Sequence, residues 1–196
     1  MSYLNGCFSE KPLWLCRGFP LFHFSTFDIY DFLNSMNQVE MNQQAKLSEH
    51  FSLGELTRSK SHPEVYNVPS HVHIENLKRV CVWLEALRER YNQRYVLAGA
   101  GEPIIITSGY RSAELNRKVG GVATSNHLTG CAVDIRVAGK KQLIRYACIL
   151  LDYADETKQD FDEILLEHGS NGVIWLHFAV RPPSQPNRRR ISFLKA

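Results

Sequence analysis

The stretch FDEILLEHGSNGVIWLHFAV, Phe161 to Val180, decides the fold. Two short apolar runs, Phe161 to Glu167 and Val173 to Val180, flank His168-Gly169-Ser170-Asn171-Gly172. Runs of this length, bounded by glycine, serine and asparagine, read as strands. A five-residue connection rich in turn formers folds the second strand back on the first, so the pair is antiparallel.

Working outward toward the amino terminus, Leu143, Ala147, Leu150 and Leu151 recur at helical spacing and mark a long helix. Before it, Cys131 to Val137 is apolar and β-branched enough to be a strand. Ser112 can cap a short helix running through Val119 and closed by Gly120-Gly121, and Pro103 to Thr107 reads as a buried strand. The clearest periodicity is Ile74, Leu77, Cys81, Leu84, Leu87 and Tyr91, one face of a helix from Ser70 to about Asn92. Ser52-x-x-Glu55 has capping-box spacing and predicts a short helix over about 53–58. Helices that precede, interrupt and border a few strands, with the last two strands antiparallel, define an α+β fold. Its sheet is small, mostly antiparallel and flanked by helices.

Organised sequence begins near Leu47, and the domain is taken as 46–196. Residues 1–45 carry Phe and Trp without helical or strand period and then the polar run Asn34 to Lys46. They read as a leader outside the domain, poorly ordered or preceding the true start, with Met36 and Met41 as alternative starts. The plainer alternative is an arm laying its aromatics on the domain surface. The apolar part of this leader, Leu13 to Phe24, is broken by Arg17, Gly18, Pro20 and His23 and is followed by no small-residue cleavage site, so it is a poor signal peptide. No run reaches the ~18 apolar residues of a membrane span.

A formal net charge of +3, with 22% charged residues, gives no global reason to expect nucleic acid or a membrane surface as partner. Arg188-Arg189-Arg190 is a short basic run that reads as a solvated tail able to help hold an anionic partner. The five cysteines include no C-x-x-C pair and are odd in number, which argues against a disulfide framework and against thiolate zinc. Cys81, Cys131 and Cys148 sit inside apolar patterns and are expected to be buried.

The chemistry lies in Ser125-Asn126-His127-Leu128-Thr129-Gly130-Cys131-Ala132-Val133-Asp134. A loop running into a strand can aim His127 and Asp134, seven residues apart, at one point. Imidazole and carboxylate are both good zinc ligands, and His177 on the last strand supplies a third. Three protein ligands with one open position is the pattern of a catalytic zinc. On chemistry alone, a histidine such as His127 is more often a hydrogen-bonded residue than a ligand.

Ser108-Gly109-Tyr110-Arg111-Ser112, Asn116, Val119-Gly120-Gly121, Ser125-x-His127-x-x-Gly130-x-Ala132-x-Asp134 and Trp175-x-His177 occur in this order. Together they resemble the zinc D-Ala-D-Ala carboxypeptidase family, which includes phage endolysins cutting the L-Ala-D-Glu bond. The likeness runs over about residues 47–192, takes in His50-Phe51-Ser52 and Phe161-Asp162-Glu163 to Glu167, and points to a small branch found in phages and prophages. The resemblance implies the fold shared by these peptidases and by the signalling domain of Hedgehog proteins. It implies a zinc ion on His127, Asp134 and His177, and Arg111 at the substrate as a carboxylate clamp or an oxyanion partner. Ser108 and Ser125 are expected to touch substrate or to cap local structure.

One position departs from the family. Other branches place a general base as Glu three residues, or His two residues, before the last zinc histidine, where this chain has Ile174 and Trp175. Glu167, on the strand facing these positions, is the candidate base, with Glu163 and His168 as weaker candidates.

The function expected is a zinc-dependent peptidase of peptidoglycan stem peptides, a D,D-carboxypeptidase or an endopeptidase, monomeric and working at the cell wall or periplasm. A different reading is a catalytically weak or inactive zinc-containing wall-binding module, favoured by Ile174 and Trp175. A zinc-stabilised protein-interaction domain is disfavoured by the intact Arg111 region.

Overall fold

The computed structural model describes residues 41–195. The expectations for residues 1–40 lie outside the described residues. The last residues of the expected leader belong with the domain: Leu53 N–H donates to the Ala45 carbonyl and Gly54 N–H to that of Gln43. Met41 and Ala45 pack against the core.

Helix α1 (Leu53–Thr57) begins in the expected box, with Ser52 and Glu55 satisfying each other's backbone N–H groups. Helix α2 (His71–Tyr95) is capped by Ser70 and runs one turn beyond the expected end, closing with the bond from Val96 N–H to the Asn92 carbonyl. Strand β1 (Ile106–Ser108) is followed by α3 (Ala113–Lys118), whose Ser112 cap accepts from Leu115 N–H. A single-turn 3₁₀ helix, Asn126–Thr129, leads into β2 (Ala132–Arg136). Helix α4 (Lys140–Thr157) and the hairpin of β3 (Glu163–His168) and β4 (Ile174–Ala179) fall where expected. Strand β5 (Arg190–Lys195) was not expected.

The five strands lie in the order β1-β2-β4-β3-β5. All pairings are antiparallel except β3 with β5. The fold is therefore α+β with a mostly antiparallel sheet. The basic run is not a solvated tail: Arg190 opens β5, and Arg188 and Arg189 pair with Asp162 and Asp155. Arg-Ile-Ser-Phe-Leu-Lys alternates as an edge strand does, but its charged ends mask the signal.

Alternation assigns the two faces of the sheet. Val133, Ile135, Ile164, Leu166, Leu176 and Phe178 are buried against one core with Leu77, Leu84 and Leu87 of α2 and Leu143 and Leu150 of α4. Each such side chain contributes on the order of 1.5–3 kcal/mol when fully buried. Trp83 is buried in this core, its ring centroid 5.3 Å from that of Phe178. Cys81 and Cys131 are buried as expected, but Cys148 is exposed. It stands one turn after exposed Ile144, on the solvent side of α4.

Candidate metal centre and cleft

The opposite face of the sheet carries Asp134 on β2, Trp175 and His177 on β4, and Glu163, Leu165 and Glu167 on β3. Asp134 stands directly across from His177, which in turn stands across from Leu165. A slip of one residue in either pairing would move the polar set into the core, so core packing fixes the register of the site.

His127 reaches the same point from the 3₁₀ turn. The Ser125 hydroxyl accepts from His127 N–H at 3.3 Å, and Gly130 closes the turn with φ 72°. Only glycine suits this closure, since a Cβ at position 130 would lie 2.6 Å from the His73 carbonyl oxygen. The Gly109 carbonyl accepts from His127 Nδ1 at 2.7 Å, which leaves Nε2 turned to the site with its lone pair. Gly109 is itself pressed against α1: a Cβ there would sit 2.2 Å from the Leu56 carbonyl oxygen.

His127, Asp134 and His177 are all buried, and their donor atoms lie within 4.8 Å of one another. His177 Nδ1 is 2.9 Å from Asp134 Oδ1, and His127 Nε2 is 3.3 Å from both that oxygen and His177 Nδ1. Ligands held at 2.0–2.1 Å around a tetrahedral ion stand about 3.3 Å apart, so two imidazoles and a carboxylate at these separations fit zinc. The groups behind them fit as well. Glu163 Oε2 lies 3.6 Å from His177 Nε2, the carboxylate partner that orients a ligating histidine.

The electrostatics follow from this crowding. Burial opposes charge on Asp134, yet the two imidazoles hold its carboxyl well below the usual range. Burial pushes His127 down. Burial works the same way on His177, but the hydrogen bond to Asp134 and the neighbouring carboxylate of Glu163 win, and it is pushed up to about 9. Glu167 is raised, chiefly by burial, against the pull of His177.

Arg111 binds the site from β1's side. Its Nη2 donates to Asp134 Oδ2 at 2.6 Å, its Nε donates to the Ser108 hydroxyl at 2.8 Å, and its backbone N–H donates to the His127 carbonyl. Ser108 thus holds Arg111, and Ser125 caps the turn of His127 while also lining the cleft. The cleft has a volume of about 840 Å³ and is bordered by Arg111, the three candidate ligands, Glu163, Glu167 and Trp175.

Glu167 and Trp175 are direct neighbours across the hairpin, and the Trp175 side chain pulls the Glu167 carboxyl down against the effect of burial. Glu163, the weaker candidate base, faces the cleft but is occupied by Arg188 and Arg190. His168 faces away, into an apolar pocket with Leu143 and Ile174, because it is one residue out of phase with Glu167. Not foreseen from sequence were Arg181, Arg188 and Arg190 on the cleft wall and the buried carboxylate of Asp162 behind them. The alternation of β5 was the signal that could have placed the last of these arginines.

An α+β domain presenting two histidines and an aspartate at the floor of an open cleft has the build of a metallopeptidase. Residues 49–152, just over half of the chain, match the peptidase M15 family, and the chain belongs to that family. No curated protein sequence matches it. Among solved structures, the crystal structure of Serratia marcescens L-Ala D-Glu endopeptidase ChiX is similar, with a TM-score of 0.34 and 22% identity, covering 57% of this chain and 87% of that one.

Proposed function

We propose that this chain is a zinc-dependent peptidase that hydrolyses a peptide bond in peptidoglycan stem peptides, as a carboxypeptidase or an endopeptidase. The observation that carries the reading is the meeting of His127 Nε2, Asp134 Oδ1 and His177 Nδ1 in a cleft that also holds Glu167 and Arg111. His127, Asp134 and His177 would hold the zinc ion, which would supply Lewis acidity and make water easier to deprotonate near neutral pH.

The remaining work falls to the chain itself. Glu167, raised by its half-buried setting and steadied by Trp175, accepts the proton of the attacking water and returns it to the leaving amine. Arg111, braced by Ser108 and Asp134, places a fixed positive charge beside the scissile carbonyl, where oxyanion charge develops. Trp175 and Leu165 wall the cleft and keep bulk water from the bond. Such a site works where peptidoglycan is, at the cell wall or periplasm, and all its groups come from one chain, consistent with a monomer. The finer resemblance to phage and prophage enzymes suggests a lytic or wall-remodelling role.

Digestion of purified sacculi by the zinc-loaded protein tests this, with released muropeptides read by mass spectrometry and His177→Ala as control. New peptide ends or loss of terminal D-Ala are expected with wild type only. Sacculi that bind the protein and stay uncut would overturn the peptidase reading in favour of a wall-binding module.

A further inference from the structure

We propose that Arg190, supported by Arg188, forms an anion subsite on the β5 side of the cleft that recognises a second carboxylate of the substrate, apart from the scissile bond. The proposal rests on the peptidase reading for its substrate class.

The argument is one of charge and spare donors. On this side of the cleft three guanidiniums, of Arg181, Arg188 and Arg190, meet two carboxylates, those of Asp162 and Glu163. Asp162 is fully buried and fully used. Arg188 grips it with Nε at 2.9 Å and Nη2 at 2.6 Å, Arg181 Nε lies 2.9 Å away, and Asn126 Nδ2 donates at 2.9 Å. Glu163 is as heavily used: one oxygen takes Arg188 and Arg190, and the other takes Asn126 and faces His177. Three guanidiniums against two carboxylates leave one positive charge in excess on this wall, and Arg190 is the most exposed of the three.

Arg190 spends only Nη1 on Glu163, at 3.1 Å, and its side chain makes no other hydrogen bond among the described residues. It is 47% exposed and lines the cleft. A guanidinium presents five donors in a rigid fork suited to a carboxylate, so most of that fork faces the space the substrate enters. Arg190 and His177 touch opposite oxygens of the same Glu163 carboxylate, which puts the fork a residue or so of extended peptide from the metal ligands. The ligand this geometry fits is a peptide with a free carboxylate one or two residues from the bond that is cut.

The test uses the full zinc-loaded chain and a stem-type peptide containing L-Ala-D-Glu and D-Ala-D-Ala, with each free carboxylate converted in turn to the carboxamide. Binding is measured by calorimetry, and cleavage is followed on the same peptides. One amide is expected to bind wild type about ten- to hundredfold more weakly than the acid, the range for a hydrogen-bonded charge. In Arg190→Gln the acid should fall to the level of that amide, while Arg190→Lys, which keeps the charge without the fork, should lie between. Equal binding of the acid and every amide by wild type would overturn the subsite. So would an Arg190→Gln loss that falls alike on acid and amide, since that is the mark of a merely structural role through Glu163. Discrimination without cleavage would overturn the peptidase reading and leave the subsite standing; cleavage without discrimination would do the reverse.

Discussion

Asp134 and Arg111 share one carboxylate oxygen: Arg111 Nη2 donates to Oδ2 at 2.6 Å, while Oδ1 stays 2.9 Å from His177 Nδ1. The arginine thereby fixes the rotation of the carboxylate and turns a single oxygen toward the two histidines. Removing a ligand should abolish metal binding, whereas removing the arginine should only loosen it. Purified wild type is expected to hold about one zinc per chain, and Asp134→Asn and His177→Ala to hold almost none. Affinity should fall on acidification because protons compete for the ligand atoms. Metal analysis after dialysis checks all three statements, and equal zinc in wild type and variants would sink the site.

Arg111→Ala should keep its zinc and lose activity. Loss of one well-placed oxyanion donor costs roughly 10²–10³ in kcat. Arg111→Lys should recover little, because an ammonium cannot span Ser108 and Asp134 as the planar guanidinium does. Turnover measured beside zinc content separates this from a folding defect.

Glu167→Gln keeps shape and removes basicity. It should lower kcat by roughly 10²–10⁴ with zinc content and melting temperature unchanged. Trp175→Phe keeps the ring and removes the indole N–H beside Glu167, so it should shift the acid limb of the pH–rate profile while leaving zinc in place. Full activity of Glu167→Gln would end the assignment and turn attention to Glu163.

Legibility in the sequence followed the physical range of each interaction. The boxes at Ser52 and Ser70, the helical stripe through Leu84 and the hairpin around Asn171 are set by neighbours a few residues away, and all were readable. His127, Asp134 and His177 were readable because their residue types announce a chemistry and their motif a family. The β5 strand and the Asp162 network were not, because they depend on pairing between residues far apart in sequence. Nothing local to Arg188 says that a buried carboxylate awaits it 26 positions upstream. Cys148 failed for a related reason: composition said apolar, while its place on the turn after Ile144 decided its exposure.

Gly130→Ala tests the turn that carries His127. With φ at 72°, an alanine costs about 1–2 kcal/mol for the left-handed backbone, and its Cβ would meet the His73 carbonyl oxygen at 2.6 Å. Backbone must move to relieve that contact, and the first segment to move is the 3₁₀ turn. Zinc affinity and melting temperature should therefore fall together. A variant as stable and as metal-rich as wild type would show that the turn does not set the ligand.

Asp162→Asn tests the network that anchors β5. The carboxylate is wholly buried and holds Arg188, Arg181 and Asn126, so neutralising it strands charge that it now balances. Breaking a fully buried pair costs roughly 3–5 kcal/mol; Arg188 is 42% exposed and can rehydrate, so about 2–3 kcal/mol is expected here. For a domain of this size that is a fall of roughly 5–10 °C in Tm at neutral pH. Burial alone would raise the pKa of Asp162, but the hydrogen bonds from Arg188 and Asn126 outweigh it and hold the group below its ordinary value. A group depressed in the folded state contributes stability above its unfolded pKa of about 3.9 and loses it as pH falls toward the folded value. The gap between wild type and Asp162→Asn should therefore be full at pH 7, persist at pH 5 and narrow below about pH 4. Paired thermal melts across that range check it, and a gap that stays constant down to pH 2 would mean that shape at position 162, rather than its charge, fastens the strand.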